Sequence, residues 1–566
     1  MNPPPPSNKS LLFCFIIVLS VSVPFLNKPY HIDDTFALHI TRSILNNPLD
    51  PFAGEFDWID HNQPVFEVTT NPPLVSYLLA PFAALSNESE IVLHAAMMIF
   101  PFLIAVSMRF FARRFTNAVW LPVLFVMTSC AVMVSGNVMR DVPAAGLATA
   151  GIACFISGTD RSDSRRLLLG SILAGLAILT KYSAVITLPI LLLYPLLKRR
   201  YRTMFWVLPA LVILAVWCLH NQIYYHAIHV VFLTLQRRSV TGITWEDKLC
   251  GALVIVGCIS YLFPLALWKS VQHKETIRLG ILAVALGVAW WFIQRHFHDK
   301  ADGEYLFWSC GGVILLVTVF GEGLKRGWRF LKDPQNPEAV DSLFLIAWLA
   351  APVLFSILLV PFQAVRHLIL ALPPLTLLAF RHLQRTDSGR YRPALLTLLV
   401  IQAFIAFFVH AADYEFAATY RDFCAEAKTH WSNSPTKLWY LGHWGWQYYA
   451  DQAGFHQVHK GEELPQEGDI LFRPDVSPVD NVFEDHPDLP KRFILLEEKK
   501  YPGMIPIRVM NWNGASFYAC IGAWGTPNMP YRFFSPLSLE TIRTFRVGPP
   551  AAAPSPPLVP GASSSE

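Results

Sequence analysis

Two adjacent carboxylates follow the first apolar run of the chain, in the stretch His31-Ile32-Asp33-Asp34-Thr35. A carboxylate held at hydrogen-bond reach can take the proton of an attacking hydroxyl. An ionisable pair where a helix leaves a bilayer marks a functional site by default, because a charge there is costly to misplace. Further along stand Arg140-Asp141, Lys181, Arg237-Arg238 and Arg366-His367. Arginine clamps a phosphate through its planar fork, lysine as a point charge. One base with several cations suits a hydroxyl attacking a group carried on an anionic lipid head. A glycosidase needs a second carboxyl group, as an acid for a poor leaving group. A lipid phosphate already leaves well, so charge stabilisation replaces that acid.

These residues need elements that bring them to one level. The chain has 566 residues, 53% of them hydrophobic and only 15% charged. That balance excludes an ordinary soluble protein of this length. The apolar residues fall in runs near the ~20 residues that span lipid. Candidate spans are 11–29, 91–111, 118–136, 141–158, 167–180, 184–197, 204–220, 249–268, 277–293, 305–320, 340–360, 366–380 and 394–411. The expected fold is therefore mainly α, a polytopic transmembrane bundle of about thirteen helices. The run at 11–26 lacks a convincing small-residue cleavage site and reads as an uncleaved first helix. Lys and Arg crowd alternate connections: Arg113-Arg114, Arg161 to Arg166, Lys198 to Arg202, Lys269 to Arg278, Lys325 to Lys332 and Arg381 to Arg392. These connections should be cytoplasmic. The N-terminus is then inside, everything after about 411 is outside, and all the chemistry-bearing groups named above lie on the outer face.

The expected domains are a transmembrane region, 1–411, an extracytoplasmic domain, 412–547, and a Pro/Ala/Ser-rich tail, 548–566, expected to be disordered. Residues from about 30 to 90 form a long acidic outer loop; Arg42 is the only Lys or Arg within those bounds, and Lys28 stands just before them. Phe36, Ile40, Ile44 and Leu45 recur at helical spacing and Asn47-Pro48 ends that helix, so it should lie in the interface. A second segment runs from Leu74 to Leu85. Thr180-Lys181-Tyr182 interrupts the apolar stretch 167–197 on the outer side. Alternating segments at Lys437–Leu441, Asp469–Phe472 and Arg492–Leu496 make the last domain a small α/β or α+β unit. Cys424 and Cys520 fall in this polar part and are a candidate disulfide if it is extracytoplasmic.

With those residues set out, the pattern resembles the GT-C membrane glycosyltransferases, and more narrowly the bacterial members related to protein O-mannosyltransferases and the lipid A aminoarabinose transferase. The likeness rests on Asp33-Asp34 opening a helix after the first span, Asn71-Pro72-Pro73-Leu74, Arg140-Asp141-Val142-Pro143, Leu179-Thr180-Lys181, and Arg366-His367-Leu368 with Pro373-Pro374. It implies a polyprenyl-phosphate sugar donor and inversion at the anomeric carbon. It implies catalysis by Asp33, with Asp34 and Asp141 beside it, and donor-phosphate binding by Lys181 and Arg366, joined by Arg237 and Arg238. The acceptor is left open among lipid, glycan and protein. Thr70-Asn71 stands where relatives often carry His or an acidic–basic pair, so no metal site is carried over, and a divalent metal stays an open question. The implied setting is a multi-pass plasma membrane, the inner membrane in a bacterium, with membrane lipids as neighbours and no nucleic acid.

Each residue also has a plain reading. Asp33 and Asp34 suit the cap of a helix starting at Thr35, and Asp141 suits a helix start before Pro143. Lys181 can snorkel to the interface, and Arg237, Arg238 and Arg366 can anchor to head groups. His61, near Asp57 and Asp60, reads as a solvated loop histidine. The aromatic run His443–Tyr449 is either a sugar platform or, by preference, core packing. The chain has no GxGxxG, P-loop or GxSxG motif, which argues against a cytoplasmic nucleotide-sugar enzyme. The rival class is a transporter or flippase of a lipid-linked sugar. Such proteins show paired repeats with charges near the midplane, and no such repeat is visible here.

Overall fold

The computed structural model describes residues 7–549 except 60, 237–242, 273–275, 297–301, 385–390, 433, 461, 478–481, 512–514, 521–527 and 536–537. Arg237, Arg238 and nearly all of the expected tail lie outside the described residues. Eight described helices are long and apolar enough to cross a bilayer: Asn8–Phe25, Glu90–Phe115, Asp141–Arg161, Tyr201–Tyr225, Ile277–Arg295, Gly303–Leu331, Pro337–Leu358 and Arg392–His430. Trp245–Ile259 and Phe263–Gln272 form one more span if counted together, bent by 89° at the break. The polytopic helical reading holds, but several of the thirteen expected spans are shorter pieces. The run at 118–136 divides into Trp120–Met127 and Cys130–Met133, because Ser129 breaks it and caps the second piece. At eight and four residues neither piece crosses alone.

The segment 30–90 forms its expected helices and also holds a hairpin and a short helix, Val65–Val68, that the sequence reading missed. A helix spans Asp33–Asn46 and another Leu74–Ser86. Between them Glu55–Ile59 and His61–Pro64 pair as an antiparallel hairpin, with Asp57 opposite Asn62. The first helix begins at Asp33, two residues before the expected start, with Ile32 at its N-cap and no side-chain cap. Ile32 has a φ of +49°. A β-branched residue rarely adopts such a conformation, which costs on the order of 1–3 kcal/mol and persists only where the surroundings impose it.

The helix Arg392–His430 passes through residue 411 without a break. At 1.5 Å per residue it is about 58 Å long, roughly twice the hydrocarbon thickness. It thus joins the apolar bundle to the last domain as a single rod. That domain holds a five-stranded sheet in the order His456–Gln457, Leu438–Tyr440, Ile470–Pro474, Glu540–Val547, Phe493–Tyr501. The first three strands are parallel and the rest antiparallel. The three expected strand segments all lie in this sheet. Cys424 and Cys520 do not form the candidate disulfide: both are buried free thiols. They belong to different surroundings, Cys520 near Arg366 and Cys424 near Asp451.

Candidate functional site

The site is assembled by helix lengths. Asp141 opens the helix Asp141–Arg161, and the next helix, Ser164–Thr180, runs back to end beside it. The two lie unusually close. A Cβ on Gly151 would stand 2.9 Å from the Gly170 carbonyl oxygen, and one on Gly170 would stand 2.8 Å from that of Gly151. Thr180 ends the return helix and Lys181 is extended. Its Nζ then meets Asp141 Oδ1 at 2.5 Å. The far end of the same hairpin carries a separate network, in which Arg114 bridges Asp160 and Asp341. Asp160 is 19 residues from Asp141 along one helix, about 28 Å at the helical rise. The cations thus fall into two groups at opposite ends of the bundle.

Arg366 completes the first group. It sits in a 3-10 turn, Val365–Ala371, whose first N–H donates to the Phe517 carbonyl. Its Nη2 donates to Asp33 Oδ2 at 3.0 Å, and its Nε lies 3.5 Å from Asp141 Oδ2. Its guanidinium also stacks over the Tyr518 ring, 5.6 Å from the centroid. Arg140 is buried nearby, over the Phe36 ring, in the field of Asp33 and Asp141. Arg140 Nε and Nη2 and Arg366 Nη1 are buried without a hydrogen-bond partner. Three cations thus face two carboxylates, leaving one net positive charge and several unused donors. Such a pocket attracts an oxyanion.

The doublet divides its work. The Asp33 side chain is 33% exposed and Asp34 is fully buried. Only Asp33 has both a free approach and a cation beside it. Asp34 turns inward and accepts from the His31 N–H at 2.9 Å, while its own N–H donates to the His31 carbonyl. Burial, opposed by the nearby Lys28 and this hydrogen bond, pushes the Asp34 carboxyl up to about 7. Burial likewise pulls the His31 imidazole down to about 3, against the pull of Asp413.

Beneath the doublet lies a buried polar network. Lys28 bonds Asp413 and donates to Asn137 Oδ1 at 2.8 Å. Tyr518 donates to Asp413 at 2.6 Å and accepts from Asn137 at 2.9 Å. His31 Nε2 is 3.7 Å from Asp413 Oδ1. Lys28, Asn137, Asp413 and Tyr518 come from distant parts of the chain, and no local pattern marks them. Arg140, by contrast, adjoins Asp141 in the motif and was legible as a candidate. Gly445 presses this region from outside: a Cβ there would lie 2.4 Å from the Tyr30 carbonyl oxygen. The aromatic run 443–449 is buried and packs as core, with Tyr448 donating to Glu88 and Tyr449 to Glu90. His61 is exposed, but it opens the second strand of the hairpin and does not lie in a loop. Among the described residues no three His, Cys, Asp or Glu side chains converge as metal ligands would.

Fold and site together define a polytopic membrane protein whose helix ends hold an accessible carboxylate in a cationic, oxyanion-ready pocket. Residues 70–225, which include Asp141 and Lys181, match the model of the family described as dolichyl-phosphate-mannose-protein mannosyltransferase. The mannosyltransferase-like resemblance read from the motifs is met over that stretch. No curated protein matches the chain by sequence. Among solved structures, ArnT from Cupriavidus metallidurans bound to undecaprenyl phosphate is similar at 14% identity and a TM-score of 0.48, over 87% of this chain and 97% of that one. AglB from Archaeoglobus fulgidus, in complex with an inhibitory peptide and a dolichol-phosphate, is similar at 12% identity and 0.44, over 80% and 64%.

Proposed function

We propose that this chain is an integral membrane glycosyltransferase that moves a sugar from a polyprenyl-phosphate carrier to an acceptor hydroxyl. The observation that carries the reading is the pairing of an accessible Asp33 with the buried, donor-rich Arg366. The acceptor oxygen attacks the anomeric carbon and Asp33 takes its proton. The bond from that carbon to the phosphate oxygen breaks, and its electron pair leaves with the polyprenyl phosphate. Arg366, Lys181 and Arg140 meet the growing negative charge, and Asp141 holds the first two in place. Direct displacement inverts the anomeric carbon. The transferred group is a hexose or a pentose. The lysine and arginine distribution supports a cytoplasmic N-terminus and an extracytoplasmic site and C-terminal domain. The match over 70–225 supports a polyprenyl-phosphate sugar as donor.

Membranes carrying the protein are incubated with radiolabelled polyprenyl-phosphate sugars, and label leaving the lipid is counted. Transfer by the parent and its loss in Asp33→Asn, at normal membrane insertion, are expected. A fully active Asp33→Asn protein refutes the assignment. A parent that moves the labelled lipid across a bilayer without forming a glycosidic bond is a transporter.

A further inference from the structure

A second pocket, of about 460 Å³, opens between the hairpin of the outer loop and the C-terminal domain. That volume falls within the ~300–1,000 Å³ typical of small-molecule sites. His39 lines it from the same helix that begins at Asp33, six residues further on, or about 9 Å along the axis. Asp57 and Gln447 line it too, and both are more than nine-tenths buried. Asp57 Oδ1 and Gln447 Oε1 have no hydrogen-bond partner. Buried acceptors left unpaired cost roughly 1–3 kcal/mol each, so two in one cavity call for a ligand that donates.

The charge balance says what kind of donor. Asp57 Oδ2 pairs with His459 Nδ1 at 2.7 Å. Burial acts to lower the His459 pKa, but the hydrogen bond and charge of Asp57 outweigh it and hold the imidazolium above its usual range. Asp57 Oδ2 therefore already has its partner in His459, 2.7 Å away, and the spare lone pair on Oδ1 is met by a neutral donor such as a hydroxyl. Glu55, Asp451, Glu462 and Glu463 also line it and repel phosphates and acidic glycans; Asp451 already accepts from the Tyr440 hydroxyl and Glu463 is paired with Lys437. Phe56, half-buried and tilted 57° to the His39 ring at 4.8 Å, supplies an apolar wall. A hydroxyl-rich ring with C–H faces satisfies all three conditions.

We propose that this pocket binds a neutral carbohydrate, held by Asp57 and Gln447 against Phe56, outside the cationic site at Asp33. That the sugar belongs to the acceptor rests on the transferase reading; that a sugar binds does not.

The full-length protein in lipid nanodiscs is tested by saturation-transfer NMR with mannobiose, cellobiose and spermidine. A disaccharide signal is expected from the parent. It should weaken by about tenfold or more in Gln447→Ala, which removes the unpaired acceptor. Glu55→Trp at the exposed rim should block the mouth equally without disturbing the core. Asp33→Asn should keep the signal while losing transfer, so the two readings fail separately. No disaccharide signal from the parent, an unchanged signal in both Gln447→Ala and Glu55→Trp, or binding of spermidine alone overturns the proposal.

Discussion

Asp141→Asn should destabilise this protein far more than Asp33→Asn, although both carboxylates touch Arg366. Asp141 lies between Lys181 at 2.5 Å and Arg366 at 3.5 Å. The side chains of Asp141, Lys181 and Arg366 are 6%, 15% and 6% exposed. Removing the shared carboxylate leaves two cations buried and facing each other. Breaking a buried pair of this kind costs about 3–5 kcal/mol. Asp33 is a third exposed, so its contact with Arg366 at 3.0 Å is screened and contributes at most ~1 kcal/mol. The assay is heat-induced loss of monodisperse protein in detergent, followed by size exclusion. Asp141→Asn should fall apart well below the parent temperature, and Asp33→Asn close to it. Neutralising the stranded lysine as well, in Asp141→Asn with Lys181→Met, should recover part of the loss, because the two positions share one interaction. Equal losses in the two single variants, or no recovery in the double variant, refute the charge assignment.

Three further outcomes follow from the geometry. Asp34, raised to about 7 by burial and facing Lys28, Asp33 and Asp413, favours the fold when protonated; its contribution is fully present below the ordinary carboxyl range and is lost as pH rises through about 7. Asp34→Asn should therefore flatten heat stability across pH 5–8 relative to the parent, and an unchanged profile counts against a protonated Asp34. Arg140→Gln removes a buried guanidinium with unpaired nitrogens, so it should leave heat stability equal or higher while weakening inhibition by added polyprenyl phosphate about tenfold or more, measured in the transfer assay. Gly445→Ala places a methyl group 2.4 Å from the Tyr30 carbonyl oxygen, a contact that backbone must move to relieve; transfer should fall while membrane insertion holds, as shown by counting label against protein amount.

The amino-acid sequence by itself determined the polytopic helical character and where several helices end. Apolar run length and its breakers are local signals, so Thr180-Lys181-Tyr182 marked the end of the return helix and Asn47-Pro48 the end of the Asp33 helix. The alternation of Lys- and Arg-rich connections put Asp33, Asp141, Lys181 and Arg366 on one face, although several of the thirteen expected spans are shorter pieces. Which carboxylate of the doublet meets solvent was decided by tertiary structure. Both are adjacent and identical in type, and only packing around Ile32 turns Asp34 inward. The same holds for Tyr518 and Asn137, bonded across 381 residues. It holds for the hairpin at 55–64, whose partner for Asp57 is His459 in the last domain. The two thiols also needed the fold, since shared polarity of sequence brought Cys424 and Cys520 no closer. Long-range partners carry no periodicity, and burial of a polar atom without a partner exists only once the chain is folded.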